Sequence, residues 1–437
     1  MMSTKVSSFL SKKKNEVLRN LEKLSSFSFT SPDSNRLDST VVQFVKRTER
    51  LTFVFQLDFN GRNRSNSFEV NTHGYRRYKW MDWFITINFL INLMRFSVLI
   101  YGSSDSVSFY LGDTLFHFKD RHVLLMYSTA AFVIMFIFRE WILNLNAKGK
   151  FEILSAWRVC FNGFNSTNLQ MNNLVAKRFR SAIFMYTIIS HNVMLSVPLF
   201  AVCLFLIPLI SNPWTYEIPE LAFFGLLWSI PTIFLFTFLL NAVIGFAWYN
   251  VCSIYFDLFR LYDLVHSADD LNHWPVNEKQ VRSFCVVIIR HLNNFEAISH
   301  KFRYLQLSYF IIFAVAADFD LFLGMIVKIY NEFFANLFTI LGFFSLITLG
   351  TFGLIFGNFI SQLDKLTMKL HQLTTKSKFS MSTSNKILEI MDRATGPYNG
   401  VKIGDFVTLE KRFFVSFILE NISILMLFIC NIGPLIH

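Results

Sequence analysis

The sequence predicts an all-α polytopic membrane protein with seven transmembrane helices, its N-terminus inside and its C-terminus outside. Of the 437 residues, 53% are apolar, and the mean hydropathy is +0.40, which is typical of a membrane protein rather than a soluble one. Seven apolar stretches each reach the ~20 residues that cross ~30 Å of hydrocarbon as a helix. The Lys and Arg residues lie almost entirely on alternate sides of these stretches.

The apolar stretches divide the chain into two predicted parts. Residues 1–79 are polar and basic and lack apolar periodicity, so they are predicted to form a cytoplasmic tail with limited order. Residues 80–437 are predicted to form the transmembrane domain. The predicted spans cover residues 80–101, 122–143, 181–210, 221–250, 304–327, 334–360 and 413–434.

The charge distribution predicts the orientation. The segments on the N-terminal side of the membrane hold 36 Lys and Arg, whereas the other side holds three, Lys119, Arg121 and Lys328. Positive charge is retained in cytoplasmic loops during insertion, so the N-terminus is predicted to be inside. The net charge of +11 follows these loops, which indicates contact with membrane lipid and no nucleic-acid partner. No two of the five cysteines lie in outer loops, so no disulfide framework is predicted.

Three spans are predicted to continue as helices into the cytoplasm. Span four runs on from Ser253 to Leu261 without a helix breaker, and span six continues in the same way through Leu370. Residues 279–302 keep apolar positions at three-to-four spacing and lead directly into span five. Because amphipathic helices need a surface to pack on, the anchor segments 251–303 and 361–412 are predicted to form a cytoplasmic bundle.

Ionisable residues inside spans are costly and are therefore candidates for function. Arg95 is expected to extend towards the outer headgroups, and Arg139 with Glu140 to form an interfacial pair that fixes depth. Asp318 and Asp320 lie in span five, about 200° apart around a helix. At most one can therefore face a common cavity, and the other must pair or be protonated. Each is a candidate for a ligand pocket or for attracting cations, with structural hydrogen bonding as the alternative.

Two further side chains are pocket candidates. His191 in span three could line a pocket or form a helix–helix hydrogen bond. Trp228 in span four could form an aromatic wall for an apolar ligand or anchor an interface. The residues alone leave both choices open.

The last span carries a mostly polar stripe on an otherwise apolar helix. In hydrocarbon such a stripe needs water or partners, so it faces either the bundle interior of one subunit or a pore built by several copies. In a pore, Leu427 would be the hydrophobic constriction and Glu420 a ring that favours cations. The stripe consists of Ser416, Glu420, Ser423, Leu427, Cys430 and Asn431.

The C-terminal ~75 residues and the overall architecture resemble the arthropod gustatory and odorant receptor superfamily. The run from Gly404 to Ser416, which follows a Lys-rich segment, looks like the approach of that family to its pore helix. The family signature is Thr-Tyr, five apolar residues and Gln-Phe, and it aligns here with residues 423–431. Ser423 keeps the hydroxyl and all five apolar positions hold, whereas Ile424, Cys430 and Asn431 depart from the signature.

The resemblance implies a ligand-gated, non-selective cation channel that assembles as a homo- or hetero-tetramer with related subunits. Each subunit would contribute its last helix to a central pore in the plasma membrane. A tastant-like small molecule would bind in the outer half of the bundle between spans two and six. In the family the apolar residue three before the Gln closes the pore, and that position here is Leu427.

Other classes fit the sequence less well. A G-protein-coupled receptor has the reverse orientation and a DRY-like triplet, but Asp120-Arg121 and Asp392-Arg393 are neither followed by Tyr nor placed beside span three. A secondary transporter would suit Asp318 and Asp320, but it would show internal repeats. The sequence shows no hydrolase, metal-ligand or phosphate-binding motif, so no enzyme activity, metal site or cofactor is predicted.

Overall fold

A computed structural model describes residues 34–52, 72–102, 104–118, 121–147, 164, 166–273, 277–328, 332–396, 400–405 and 407–431. These residues are almost entirely helical, with one two-stranded antiparallel hairpin in which Lys402 pairs with Thr408 and Ile403 with Val407. The elements are α1 (Ser34–Leu51), α2 (Thr72–Tyr101), α3 (Asp105–Tyr110), α4 (Arg121–Ala147), α5 (Ser166–Leu169), α6 (Asn173–Ser211), α7 (Trp214–Glu217), α8 (Pro219–His273), α9 (Glu278–Leu321), a π-helix (Phe322–Val327), α10 (Glu332–Lys376), α11 (Met381–Thr395), β1 (Lys402–Ile403), β2 (Val407–Thr408) and α12 (Lys411–Asn431).

The all-α membrane fold predicted from the sequence is confirmed. Among the described residues, six helices are long and apolar enough to cross a membrane by length and composition: α2, α4, α6, α8, α9 with the π-helix, and α10. In α12 the apolar stretch Val415–Leu427 is shorter than in these six helices. The whole of α12 has 21 residues, however, and rises by about 30 Å. The span count of seven and the orientation of the termini therefore stay predictions.

The predicted helical extensions of spans four, five and six are confirmed. The helix α8 has 55 residues, α9 has 44 and α10 has 45, about twice the length that a bilayer requires or more. Their extended parts pack together through buried apolar side chains, and the rings of Phe295 and Phe359 stack with centroids 3.9 Å apart. Leu363, Leu366 and Leu370 are buried in the same cluster. These contacts provide the packing surface that the apolar periodicity requires.

The expectation of limited order before residue 80 is wrong for two segments. Residues 34–51 form α1, and α2 begins at Thr72 rather than at residue 80. The helix α1 packs against α6 through buried Val41 and Val45. An ion pair between Asp38 and Arg180 of α6 also joins these two helices, with an N–O distance of 2.6 Å.

Candidate functional site

The last helix starts from a hairpin that is attached to α9. Gly404 makes the turn between β1 and β2 with a φ of +61°, a conformation that favours glycine. Its N–H donates to the carbonyl oxygen of Arg303 in α9 at 2.9 Å. The path of the chain into α12 is therefore fixed by α9.

One side of α12 packs on its own chain. Phe413, Phe417, Asn421 and Leu425 recur every four residues and form this side. Phe417 and Asn421 are buried, and the ring centroids of Phe413 and Phe310 of α9 are 5.8 Å apart. These contacts orient the helix about its axis.

The predicted polar stripe lies on a different side, which the described part of the chain leaves exposed. All six of its residues are exposed, and Leu427 keeps 58% of its surface. The Ser423 hydroxyl and the Asn431 amide donate to carbonyl oxygens one turn back in the same helix, at 2.9 and 3.0 Å. These hydrogen bonds within the helix reduce the free-energy cost of placing polar side chains on an apolar helix.

A third side of α12 is exposed and apolar. Val415, Leu419, Ile422 and Met426 form it, and each is at least 50% exposed. The helix therefore has one side for its own bundle, one polar stripe, and one side suited to lipid or to a neighbouring chain. The reading in which the stripe faces the interior of a single subunit does not fit this geometry.

Arg95 is buried within a polar network inside the protein and does not extend to its surface. Its guanidinium donates to the carbonyl oxygens of Leu111 and Gly112, both at 2.8 Å, and to the Thr232 hydroxyl at 3.2 Å. The expectation that Arg95 extends to the surface is thus wrong, because the loop after α3 provides carbonyl partners inside the protein. The guanidinium also lies 5.3 Å from the ring centroid of Trp228.

The pocket candidates have separate partners. The Trp228 indole donates to the carbonyl oxygen of Tyr110 at 3.2 Å, so this side chain also contacts the end of α3. His191 Nδ1 lies 3.1 Å from the hydroxyl of Thr48 in α1, and its ring contacts Phe44. These contacts fit a helix–helix hydrogen bond for His191 and an interface anchor for Trp228. A ligand contact at either residue stays a prediction.

The two acidic residues of span five have different surroundings, as expected for side chains that point in different directions. Asp320 is buried and accepts a hydrogen bond from the Tyr127 hydroxyl of α4. Asp318 is 1% exposed, and within the described part of the chain neither of its carboxyl oxygens has a hydrogen-bond partner. A buried carboxyl without a partner is costly as an anion, so Asp318 is the stronger candidate for a ligand or cation contact.

Arg139 forms ion pairs with two carboxylates. Its side chain is fully buried and pairs with Asp82 of α2 as well as with its neighbour Glu140. The side chain of Asp82 is 40% exposed and that of Glu140 is 44% exposed. The predicted pair between Arg139 and Glu140 is therefore present, and the second ion pair, with Asp82, joins α4 to α2. The position of this pair at the membrane interface stays a prediction.

Comparison with solved structures identifies the architecture. No protein-family model matches the sequence, and no curated protein is similar to it in sequence. The insect olfactory receptor OR5 from Machilis hrabei superposes with a TM-score of 0.57 and 12% identity, covering 89% of this chain and 98% of that chain. The same receptor in complex with eugenol gives a TM-score of 0.56 and 11% identity over the same shares of the two chains. This chain has the fold of an insect olfactory receptor.

Within this olfactory-receptor fold, the sequence reasoning missed a polar face in span one. Asn88, Asn92 and Arg95 lie on one side of α2, and Asn88 donates to the carbonyl oxygen of Pro231 at 2.9 Å. Asn92 accepts from the Thr232 hydroxyl at 2.7 Å. The spacing of four and three residues was a detectable signal of a helix–helix contact.

Proposed function

We propose that this chain is a subunit of a ligand-gated, non-selective cation channel of the arthropod gustatory and odorant receptor superfamily. The fold shared with an insect olfactory receptor supports the class. The observation that carries the proposal is the polar stripe of α12, which is exposed with respect to the described residues of its own chain. A polar stripe in hydrocarbon needs water, and a ring of such helices provides it.

The proposed assembly is a tetramer in the plasma membrane, made of identical or related subunits. Each α12 would turn Ser416, Glu420, Ser423 and Leu427 towards a central axis. Leu427 would close the pore by excluding water, and a ring of Glu420 carboxylates would favour cations. Opening would move Leu427 away from the axis.

The proposed ligand is a tastant-like small molecule bound in the outer half of the bundle. The Machilis receptor has a structure in complex with eugenol, which supports a small organic ligand for this fold. In the part of the bundle proposed to be the outer half, Trp228 lies beside the Arg95 guanidinium, and the buried Asp318 has no hydrogen-bond partner among the described residues. Small-molecule sites typically combine apolar walls with a few such polar groups.

Two substitutions at equally exposed positions test the pore assignment. Leu427 and Met426 are both 58% exposed but lie on different sides of α12. Leu427→Ala should raise the basal current in expressing cells, since it removes the constriction, whereas Met426→Ala should leave it unchanged. Equal currents in the two variants would refute the pore side proposed here.

The acidic ring is tested by ion substitution. Glu420→Gln keeps the size of the side chain and removes its charge. The expected result is a changed preference among cations, measured from reversal potentials, with gating retained. An unchanged preference would remove Glu420 from the pore.

The orientation is tested with tags at both ends of the chain. A tag after His437 should be stained in intact cells, whereas an N-terminal tag should require permeabilisation. The opposite pattern would contradict the channel orientation and favour a G-protein-coupled receptor or a transporter.

A further inference from the structure

The hairpin before α12 is bonded to α9 through its backbone. The Ser299 hydroxyl lies 3.3 Å from the carbonyl oxygen of Gly400 and accepts the N–H of Lys402 at 3.1 Å. One turn further along α9, the carbonyl oxygen of Arg303 accepts the N–H of Gly404 at 2.9 Å. Both the approach to the hairpin and its turn are therefore tied to the same helix.

Side chains reinforce this attachment at the turn. Arg303 forms an ion pair with Asp405, and the Tyr304 hydroxyl donates to the same carboxylate at 2.6 Å. The Arg303 guanidinium also lies 4.7 Å from the ring centroid of Tyr304 and donates to its hydroxyl at 3.2 Å. We call Arg303, Tyr304 and Asp405 the clamp. Each of its three members contacts the other two, so the carboxylate is held in one place.

The helix α9 connects the clamp to the outer part of the bundle without a break. It is continuous from Glu278 to Leu321. From Arg303 to Asp320, which contacts Tyr127 of α4, the rise is about 26 Å. A displacement of α9 near Asp320 therefore reaches the hairpin through a single helix. The chain enters α12 six residues after Asp405.

We propose that Arg303 and Tyr304 are positioning residues of the pore helix, which pass movement of α9 to the start of α12 through Asp405. This inference rests on the proposed function, because it assigns a gating role to the movement of α12. Asp405 is 45% exposed, and partly exposed ion pairs contribute little to stability. Loss of the clamp should therefore change the position of α12 and leave the fold intact.

Cys430 provides a reporter of that position which does not require ion current. It is exposed on the polar stripe of α12, whereas Cys252 and Cys285 are buried and Cys203 of α6 is partly buried. The protein would be purified, reconstituted in lipid vesicles and treated with a membrane-impermeant thiol reagent. Peptide mass spectrometry then gives the rate of modification at Cys430.

The variants remove single elements of the clamp. Tyr304→Phe removes only the hydroxyl, Asp405→Asn removes the charge, and the double variant Arg303→Asp, Asp405→Arg reverses the ion pair. The matched control is Asp269→Asn, since Asp269 is 42% exposed and forms an ion pair with Lys369 that joins α8 and α10 away from the hairpin. Thermal unfolding of each variant checks that the fold is retained.

The expected result is a several-fold change in the Cys430 rate for Tyr304→Phe and Asp405→Asn, with recovery towards wild type in the double variant. The Cys430 rate in Asp269→Asn should equal that of the wild type. Unchanged Cys430 rates in both single variants would overturn the inference, as would an equal change in the control. Because labelling does not depend on conduction, a failure of the Leu427→Ala test would count against the proposed function without affecting this result.

Discussion

Three glycines at contacts between the last membrane helices differ in the room that they leave for a methyl group. At Gly342 of α10, a Cβ would lie 2.7 Å from Leu321 Cγ and 2.8 Å from the carbonyl oxygen of Ala317 in α9. At Gly353 of the same helix, it would lie 3.3 Å from Cδ1 of Phe413. We therefore predict that the same substitution, glycine to alanine, has opposite effects at the two positions.

The magnitudes follow from two opposing contributions. Replacing glycine by alanine inside a helix stabilises it by about 0.5–1 kcal/mol. Overpacking a close contact costs about 1–3 kcal/mol, and at Gly342 one neighbour is main chain, which cannot move without displacing α9. Gly342→Ala should therefore be destabilising by up to about 2 kcal/mol. Gly353→Ala should be neutral or stabilising by up to about 1 kcal/mol, since the ring edge of Phe413 can shift by a few tenths of an ångström.

A third glycine extends the series. At Gly324 in the π-helix, a Cβ would lie 2.5 Å from the carbonyl oxygen of Ala335 and 2.6 Å from the backbone nitrogen of Thr339. Both are main-chain atoms of α10, so Gly324→Ala should destabilise more than Gly342→Ala. The assay is thermal unfolding of purified protein followed by tryptophan fluorescence, for which the chain has eight Trp. A midpoint for Gly342→Ala at or above that of Gly353→Ala would refute the packing argument.

The remaining predictions concern buried polar groups and use the same assay. Tyr127→Phe removes the donor to Asp320 and should cost about 1–3 kcal/mol, since a buried acceptor loses its partner; an unchanged midpoint would contradict that contact. Thr48→Val keeps the shape of the side chain and removes the hydrogen bond to His191, for an expected loss of about 0.5–1.5 kcal/mol. Asp318→Leu should raise the midpoint, because it removes a buried carboxyl that has no partner within the described residues. A lower midpoint would contradict this argument.

Helix length and continuity could be predicted from the sequence because they depend on local signals. The extension of span four was visible as a run from Ser253 to Leu261 without glycine or proline. The helix α1 was missed although Val41, Val45, Thr48 and Thr52 recur at three-to-four spacing and all four are buried. Two of these residues are threonines, so a search for apolar periodicity alone does not detect the buried face.

The partners of buried charged residues could not be predicted in the same way. The position of Arg95 inside a predicted span indicates that its charge needs hydrogen-bond partners. Two of these partners are the main-chain carbonyl oxygens of Leu111 and Gly112. Every residue carries such a carbonyl, so the sequence contains no signal that distinguishes these two. The spacing of Asp318 and Asp320 predicted that they face different ways, but not which of them pairs with Tyr127.

For α12, the sequence periodicity predicted part of the arrangement and left another part open. The spacing of Ser416, Glu420, Ser423 and Leu427 identified one side of the helix but not what covers it. The structure shows that Phe417 and Asn421 face the chain's own bundle, so the stripe needs another surface. A single copy would leave Glu420 exposed to hydrocarbon, at a cost of about 3 kcal/mol for an acidic side chain at the bilayer centre. An assembly that encloses water along the stripe removes this cost, which is the physical reason for expecting several copies around one pore.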